Sequence, residues 1–268
     1  MEYPNYRNAA ISVMIHVPGK RDVNNACLVE AIQEMIEWFR LALLKNNCAT
    51  SEVWSFPPTK IVNDDNEAFG IKAFVFGKIN RSNISIVMEI VKNAFFPKKK
   101  VKSLYIEIPR IVWKKIDRNA FITEIISVCT HIYASYACID TLALLTHPDI
   151  YTCGYRLFCP EAKDIDPESK LPGVFWWQYF SEDMIGRNYH PIDSISDIFE
   201  KHRFDQDRYM YEVQLSNSID KLSITTRMVF RNIYSHALYS YFNRENMFVS
   251  IFKYNYFILF SINQAGTK

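Results

Sequence analysis

The sequence is poor in glycine and lacks the short signatures that mark the common enzyme classes. Only seven of its 268 residues are glycine, and none belongs to a phosphate-cradling loop or a Gly-x-Ser-x-Gly nucleophile elbow. His-Glu-x-x-His and paired Cys-x-x-Cys motifs are also missing. These absences argue against a P-loop nucleotidase, a serine hydrolase and a zinc protease, and we expect no cofactor.

Strong net charge and long apolar runs are lacking as well. The formal net charge is +2, from 31 basic and 29 acidic side chains, so no whole-molecule field favours nucleic acid or an anionic membrane. No uncharged apolar run reaches about 18 residues, and the N-terminal residues lack the basic start and apolar core of a secretory leader. We therefore expect a cytoplasmic protein that binds neither membrane nor nucleic acid.

The six cysteines are spread over a chain too long to be a disulfide scaffold. Cys129 and His131 lie two positions apart and Cys153 and Cys159 six apart, and neither spacing matches a recognised zinc motif. We expect reduced, mostly buried thiols and no metal site. His131 and His236 fall on predicted helices, where we interpret them as hydrogen-bonded structural histidines.

What the sequence does contain is apolar and aromatic residues. Hydrophobic residues make up 49% of the chain and aromatic residues 15%, enough to bury a large core. No Gly/Ser-rich or Pro-rich linker and no internal repeat divides the sequence. We therefore expect one unit spanning residues 1–268, with lobes at 1–100 and 101–268 as the alternative division.

Strand and helix patterns alternate along the chain and predict an α+β fold with a largely antiparallel sheet and packed helices. Three segments with apolar residues at three-and-four spacing are predicted as helices: 24–45, 117–133 and 225–242. Segments rich in β-branched and aromatic residues are predicted as strands: 9–17, 51–56, 67–79, 101–109, 136–145, 154–160, 174–180, 209–216 and a C-terminal hairpin. Residues 82–96 fit either pattern, and we take them as a helix.

Acidic residues are concentrated between positions 161 and 207. This segment carries eleven acidic and five basic residues, a net charge of about −6 that leaves about +8 for the rest of the chain. The arrangement fits either a solvated surface or a docking surface for a basic protein. The lysine-rich run at 97–102 is interpreted as a solvated strand end, because no aromatic stacking platform is interleaved with it.

An aromatic strand followed by a capped turn occupies residues 171–186. Five aromatic residues fall within positions 175–180, and both faces of such a strand are apolar, so it is either central in the sheet or covered by a partner. Ser181 is placed to cap the turn that follows, and Glu182 and Asp183 suit the positive end of its dipole. The open question is whether Trp176 or Trp177 is left exposed beside these carboxylates as an anchor.

Several segments follow one another in a distinctive order: LYIEIP, a helix, ACIDTLALL, HPDIYTCGYRLFCP, LPGVFWWQYFSEDMIG and TTRMVFRNIYSHALYSYF. This order, over residues 103–242, resembles the type VI immunity family. In that family a glycine, a tryptophan, a tyrosine and a helix-ending glycine occupy the positions held here by Gly173, Trp176, Tyr179 and Gly186. Proteins of the family are encoded beside antibacterial toxins that type VI secretion delivers.

The resemblance implies a protein that is not an enzyme and that binds its own toxin in the cytoplasm. It would block the toxin's active site or substrate-binding surface, and the family supplies no catalytic residues to carry over. Carboxylates could imitate phosphates in the basic cleft of a toxin that handles nucleic acid or a nucleotide. The candidate toxin contacts are therefore Asp164, Asp166, Glu168, Trp177, Glu182 and Asp183.

Two alternatives from other classes are also open at this point. A small cytoplasmic hydrolase would gather His131, His147 or His190 with acidic partners in a deep pocket. An effector-loading adaptor or chaperone would bind protein too, but its deletion would abolish secretion and leave the cell viable. The oligomeric state and the identity of the toxin are not determined by the sequence.

Overall fold

The structure, a computed structural model, describes residues 10–17, 23, 25–55, 71–92, 102–141, 176–181, 201–205, 210–214 and 218–219. Within these residues the helices are α1 (Asn25–Leu44), α2 (Arg110–Trp113) and α3 (Arg118–His131). The strands are β1 (Ile11–Val17), β2 (Thr50–Trp54), β3 (Ile71–Ile79), β4 (Ser82–Lys92), β5 (Lys102–Ile108), β6 (Tyr136–Thr141), β7 (Trp177–Phe180), β8 (Lys201–Asp205) and β9 (Met210–Gln214). The strand predicted at 154–160, the helix at 225–242 and the C-terminal hairpin lie outside the described residues.

The described strands form one sheet in the order β2-β3-β4-β5-β1-β6-β7-β9-β8. Every pairing between these neighbours is antiparallel. β1 lies near the centre of the sheet although it comes first in the chain, and its Val13 is opposite Ile106 of β5 and Ile139 of β6. This architecture confirms the predicted α+β fold with a largely antiparallel sheet.

Residues 82–92 form strand β4, so the helix predicted for residues 82–96 is wrong over this part. Its fully or nearly fully buried residues recur at every second position, which is the period of a half-buried strand: Ile84, Ile86, Met88 and Ile90. Asn80 and Arg81 join it to β3, and both have positive φ, 49° and 68°. Positive φ at two successive turn residues is typical of a type I′ hairpin, whose twist matches that of the strands.

Alternation along the strands gives the sheet two different faces. On the first, which we call the helical face, Ile11, Val13 and Ile15 join the buried side chains of α1 and α3 in one apolar cluster. Each large side chain buried there stabilises the fold by about 1.5–3 kcal/mol. We call the opposite side of the sheet the second face.

Whether residues 1–268 form one unit or two lobes stays a prediction.

Aromatic rings connect the helices with one another and with the residue before β7. The ring of Phe121 lies 5.7 Å from that of Phe39 and 5.6 Å from that of Trp113, and Trp113 meets Trp176 edge to face at 5.7 Å. Asp117 begins α3 by accepting hydrogen bonds from two backbone N–H groups of its first turn. The helical face is therefore closed by packed rings.

Candidate protein-binding surface

Two phenylalanines lie side by side on the second face of β3. Phe74 and Phe76 are two positions apart, so both project from the same side of the strand. Their rings stack with centroids 5.6 Å apart and 7° between the ring planes. Phe76 is 39% exposed and Phe74 is half-buried. A rigid strand thus holds an accessible aromatic surface.

Valines on the two neighbouring strands extend this surface. Val53 of β2 and Val87 of β4 are both opposite Phe74 in the strand register. Val53 is 50% exposed and Val87 is half-buried. We call these four residues, Val53, Phe74, Phe76 and Val87, the aromatic patch. Contiguous apolar side chains at a surface make it a candidate for binding a partner.

The patch reaches β2, which is the last strand at this end of the described sheet. The Ser55 N–H donates to the Lys72 carbonyl at 2.8 Å, and pairs that share main-chain hydrogen bonds alternate along an antiparallel ladder with pairs that do not. Because this pattern repeats every two residues, the main-chain groups of Val53 also point towards β3. The alternate residues of β2, Thr50, Glu52 and Trp54, have main-chain groups that point away from β3. The outer edge of β2 therefore presents donors and acceptors next to the patch.

Charge differs between the two ends of the patch. Lys72 forms an ion pair with Glu89 at 3.1 Å. At the other end Lys78 and Arg81 are exposed, and among the described residues neither has a carboxylate within 4.0 Å. This end carries positive charge that a partner carboxylate would complement.

The second face becomes polar and buried towards the centre of the sheet. Gln178 donates a hydrogen bond to the Tyr136 hydroxyl at 2.8 Å, and the Ser12 and Tyr105 hydroxyls lie 3.1 Å apart. The Asp140 carboxylate accepts from two backbone N–H groups, at 2.7 Å and 3.0 Å. We call these five residues the buried polar cluster. Their hydrogen bonds offset the cost of removing polar groups from water.

Cys138 and His16 lie on the same face as this cluster and are 2% and 3% exposed. Burial raises the pKa of the Cys138 thiol far above its ordinary value, and the hydrogen bond with Tyr136 lowers it by less. A protonated thiol is a poor nucleophile. The cluster therefore has the properties of a structural network that holds β1, β6 and β7 in register.

Tyr105 stands where the buried polar cluster approaches the aromatic patch. Burial raises the pKa of Tyr105 to about 12; the hydrogen bond with Ser12 acts in the opposite direction, and the negative charges of Glu107 and Glu89 add to the rise. The phenol consequently stays neutral at physiological pH. It serves as a hydrogen-bonding group at this boundary.

Trp177 is the predicted toxin contact that falls within the described residues, and it is 0% exposed. Its indole N–H donates to a Glu212 carboxylate oxygen at 2.7 Å, and Trp176 is also 0% exposed. The exposed anchor considered at these two positions is therefore absent from the structure. The reason is that core side chains surround both tryptophans, as in the edge-to-face contact of Trp176 with Trp113.

The remaining candidate contacts lie outside the described residues: Asp164, Asp166, Glu168, Glu182 and Asp183. The same holds for His147, His190 and His236. His131 at the end of α3 lies between two carboxylates of α1, with Nδ1 2.9 Å from Glu34 Oε1 and Nε2 3.5 Å from Glu30 Oε2. It makes the interhelical contact expected of a structural histidine.

Sequence reasoning assigned residues 67–79 to a strand but did not select its phenylalanines as functional. The sequence contains a pattern that could have identified them: Lys72, Phe74, Phe76 and Lys78 fall at every second position, so two aromatic rings share one strand face with two lysines. In the described part of the chain, no three or more His, Cys, Asp or Glu side chains are placed to hold a metal ion. None of the described helices has the length and apolar character required to cross a bilayer.

Comparison with known proteins finds no matching protein-family model and no matching curated protein. One solved structure that the fold resembles is the Pseudomonas aeruginosa T6SS protein PA0821. The two share 11% sequence identity with a TM-score of 0.49, over 85% of this chain and 73% of that chain. A likeness at this level leaves the function of this chain open.

Proposed function

We propose that this protein is an immunity protein that binds a cognate secreted antibacterial toxin in the cytoplasm. It neutralises the toxin by covering the toxin's active site or substrate-binding surface, and it catalyses no reaction itself. Two independent features support this proposal. The first is the order of segments over residues 103–242, which resembles the type VI immunity family. The second is the aromatic patch, all four residues of which lie outside that range.

The aromatic patch is the observation that carries the proposal. Aromatic side chains are enriched among the residues that dominate binding energy at protein interfaces, and here two of them are held on a strand before any partner arrives. An interface of standard size buries about 800 Å² on each partner, more than four side chains supply. The patch would therefore be the centre of a larger contact.

Co-expression with the protein encoded by the adjacent gene, which this proposal expects to be the toxin, tests this function. Cells that express the toxin alone are expected to die, and cells that also express this chain are expected to survive. Purified toxin and this chain should form a stable complex, measured by isothermal titration calorimetry. The control is Phe76→Ser, which should weaken the complex while circular dichroism shows an unchanged fold.

Three other outcomes would overturn the proposal. Survival that does not depend on this chain would remove the immunity role. A toxin that mass spectrometry finds chemically altered after exposure to this chain would identify an enzyme instead. Loss of toxin secretion on deletion of this chain, in cells that stay viable, would identify an adaptor or chaperone.

A further inference from the structure

We infer that the partner adds an extended strand to the outer edge of β2, with apolar side chains over the aromatic patch and a carboxylate facing Lys78. This inference rests on the proposed function, because the partner is the toxin, and it specifies how the toxin is bound. Strand addition to an exposed sheet edge draws affinity from main-chain hydrogen bonds and specificity from side chains on alternate positions.

The main-chain geometry of β2 is the first support. Thr50, Glu52 and Trp54 direct their N–H and C=O groups away from β3, as the hydrogen bond from Ser55 to Lys72 requires for this register. Ser51, Glu52 and Val53 are all exposed. An accessible edge of this kind accepts another strand.

The side chains next to this edge are the second support. A strand paired with β2 places every second side chain on the second face, beside Ser51 and Val53. Those side chains would contact Val53 and the stacked rings of Phe74 and Phe76, which lie one strand further in. The partner segment should therefore have apolar residues at alternate positions.

Charge supplies the third support and selects the occupant. Thr50 of β2 is opposite Gly77 of β3, so the same register places Lys78 beside Ala49. A carboxylate on the partner residue opposite Ala49 is therefore within reach of the Lys78 ammonium group. A second copy of this chain would bring β2 against β2, and in the antiparallel arrangement centred on Glu52 the two Glu52 carboxylates are opposite each other. Like charges in direct opposition destabilise a strand pair, which disfavours this self-pairing register, and the positive charge of Lys78 favours a different protein that supplies a carboxylate.

The edge is tested first with a capped peptide, acetyl-Val-Thr-Val-Thr-Val-Thr-Glu-amide, added to the full-length protein. In the antiparallel register its valines face the patch and its glutamate faces Lys78. We expect the peptide to slow hydrogen exchange of the Glu52 backbone N–H, measured by NMR. The matched peptide that ends in lysine should bind several-fold more weakly, and the difference should shrink at high salt.

Two variants at one position separate main-chain pairing from side-chain contact. Glu52→Pro removes an N–H that points outwards and leaves the pairing with β3 intact, since proline is accepted at edge positions of this kind. It should weaken binding of the peptide and of the toxin about tenfold or more. Glu52→Ala keeps the N–H and should bind within about twofold of wild type, with circular dichroism confirming that both variants fold.

The outcomes distinguish this inference from the proposed function. Equal neutralisation of the toxin by Glu52→Pro and wild type would show that the toxin uses another surface, so the inference would fail while the immunity role stands. Peptide binding without protection of the Glu52 N–H would also overturn it, even if Glu52→Pro were unstable. A dimer of this chain that Glu52→Pro dissociates, observed by light scattering, would replace the proposed occupant with a second copy.

Discussion

The two halves of the second face have opposite character. Near β2, β3 and β4 the face is open to solvent and exposes the aromatic patch, with Val53 50% and Phe76 39% exposed. Near β1, β6 and β7 it is polar and closed, with Ser12 and Gln178 both 0% exposed. A soluble protein on its own gains from the reverse arrangement. The buried half is therefore explained by its internal hydrogen bonds, and the open half is the surface that we propose a partner covers.

The largest expected effect is on the buried half, at Asp140. Asp140→Ala leaves two buried N–H groups without their acceptor, and we expect the free energy of unfolding to fall by about 3 kcal/mol. Asp140→Asn keeps one acceptor oxygen and should lose less. Urea denaturation measures both, and a loss below about 1 kcal/mol for the alanine variant would show that the cluster is not a stabilising network.

The open half should respond in binding and not in stability. Phe76→Ser is expected to weaken toxin binding by about 2 kcal/mol, roughly thirtyfold, because it removes an aromatic contact at the interface centre. Its free energy of unfolding should change by less than about 1 kcal/mol, since the ring is partly exposed. Calorimetry and urea denaturation separate the two effects. A stability loss as large as that of Asp140→Ala would place Phe76 in the core.

Gly77 tests how closely the helical face is packed beneath the open half. A Cβ atom there would lie 3.0 Å from Cys48 Sγ and 3.2 Å from the Ala49 carbonyl oxygen, so Gly77→Ala should lower the free energy of unfolding by about 1–2 kcal/mol. Combining it with Cys48→Ala removes the sulfur but not the oxygen, and a double-mutant cycle should show partial recovery. Additive losses would mean that the sulfur is not the obstacle.

The smallest effect is expected at the boundary between the halves, at Tyr105. The pKa of Tyr105 is raised to about 12, mainly by burial, whereas an unfolded tyrosine titrates near pH 10. The folded protein therefore holds this proton more tightly, and the resulting stability is present below about pH 10 and is lost as the pH rises towards about 12. Tyr105→Phe should show a shallower decline in this window when urea denaturation is repeated at each pH. Parallel curves for both proteins would contradict this account.

Local pattern was sufficient to locate most of the described elements. β1, α1, α3 and β5 lie where the alternation or the three-and-four spacing places them. It failed for β4, because a run rich in isoleucine and valine buries one face as a strand and also supplies apolar residues at helical spacing. The neighbouring strand β3 and the Asn80–Arg81 turn decide between these conformations by supplying hydrogen-bond partners.

The sequence by itself determined the α+β class, the alternation within the strands and the chemical character of each strand face. It could not determine which parts of those faces are covered, because coverage depends on contacts between segments far apart in the chain. Trp177 and Phe76 show the difference. Both are aromatic residues on strands, yet Trp177 projects from the helical face, where core side chains bury it completely, whereas Phe76 projects from the second face of β3, next to the edge strand, and is 39% exposed. Only the tertiary structure places one in the core and the other at the surface.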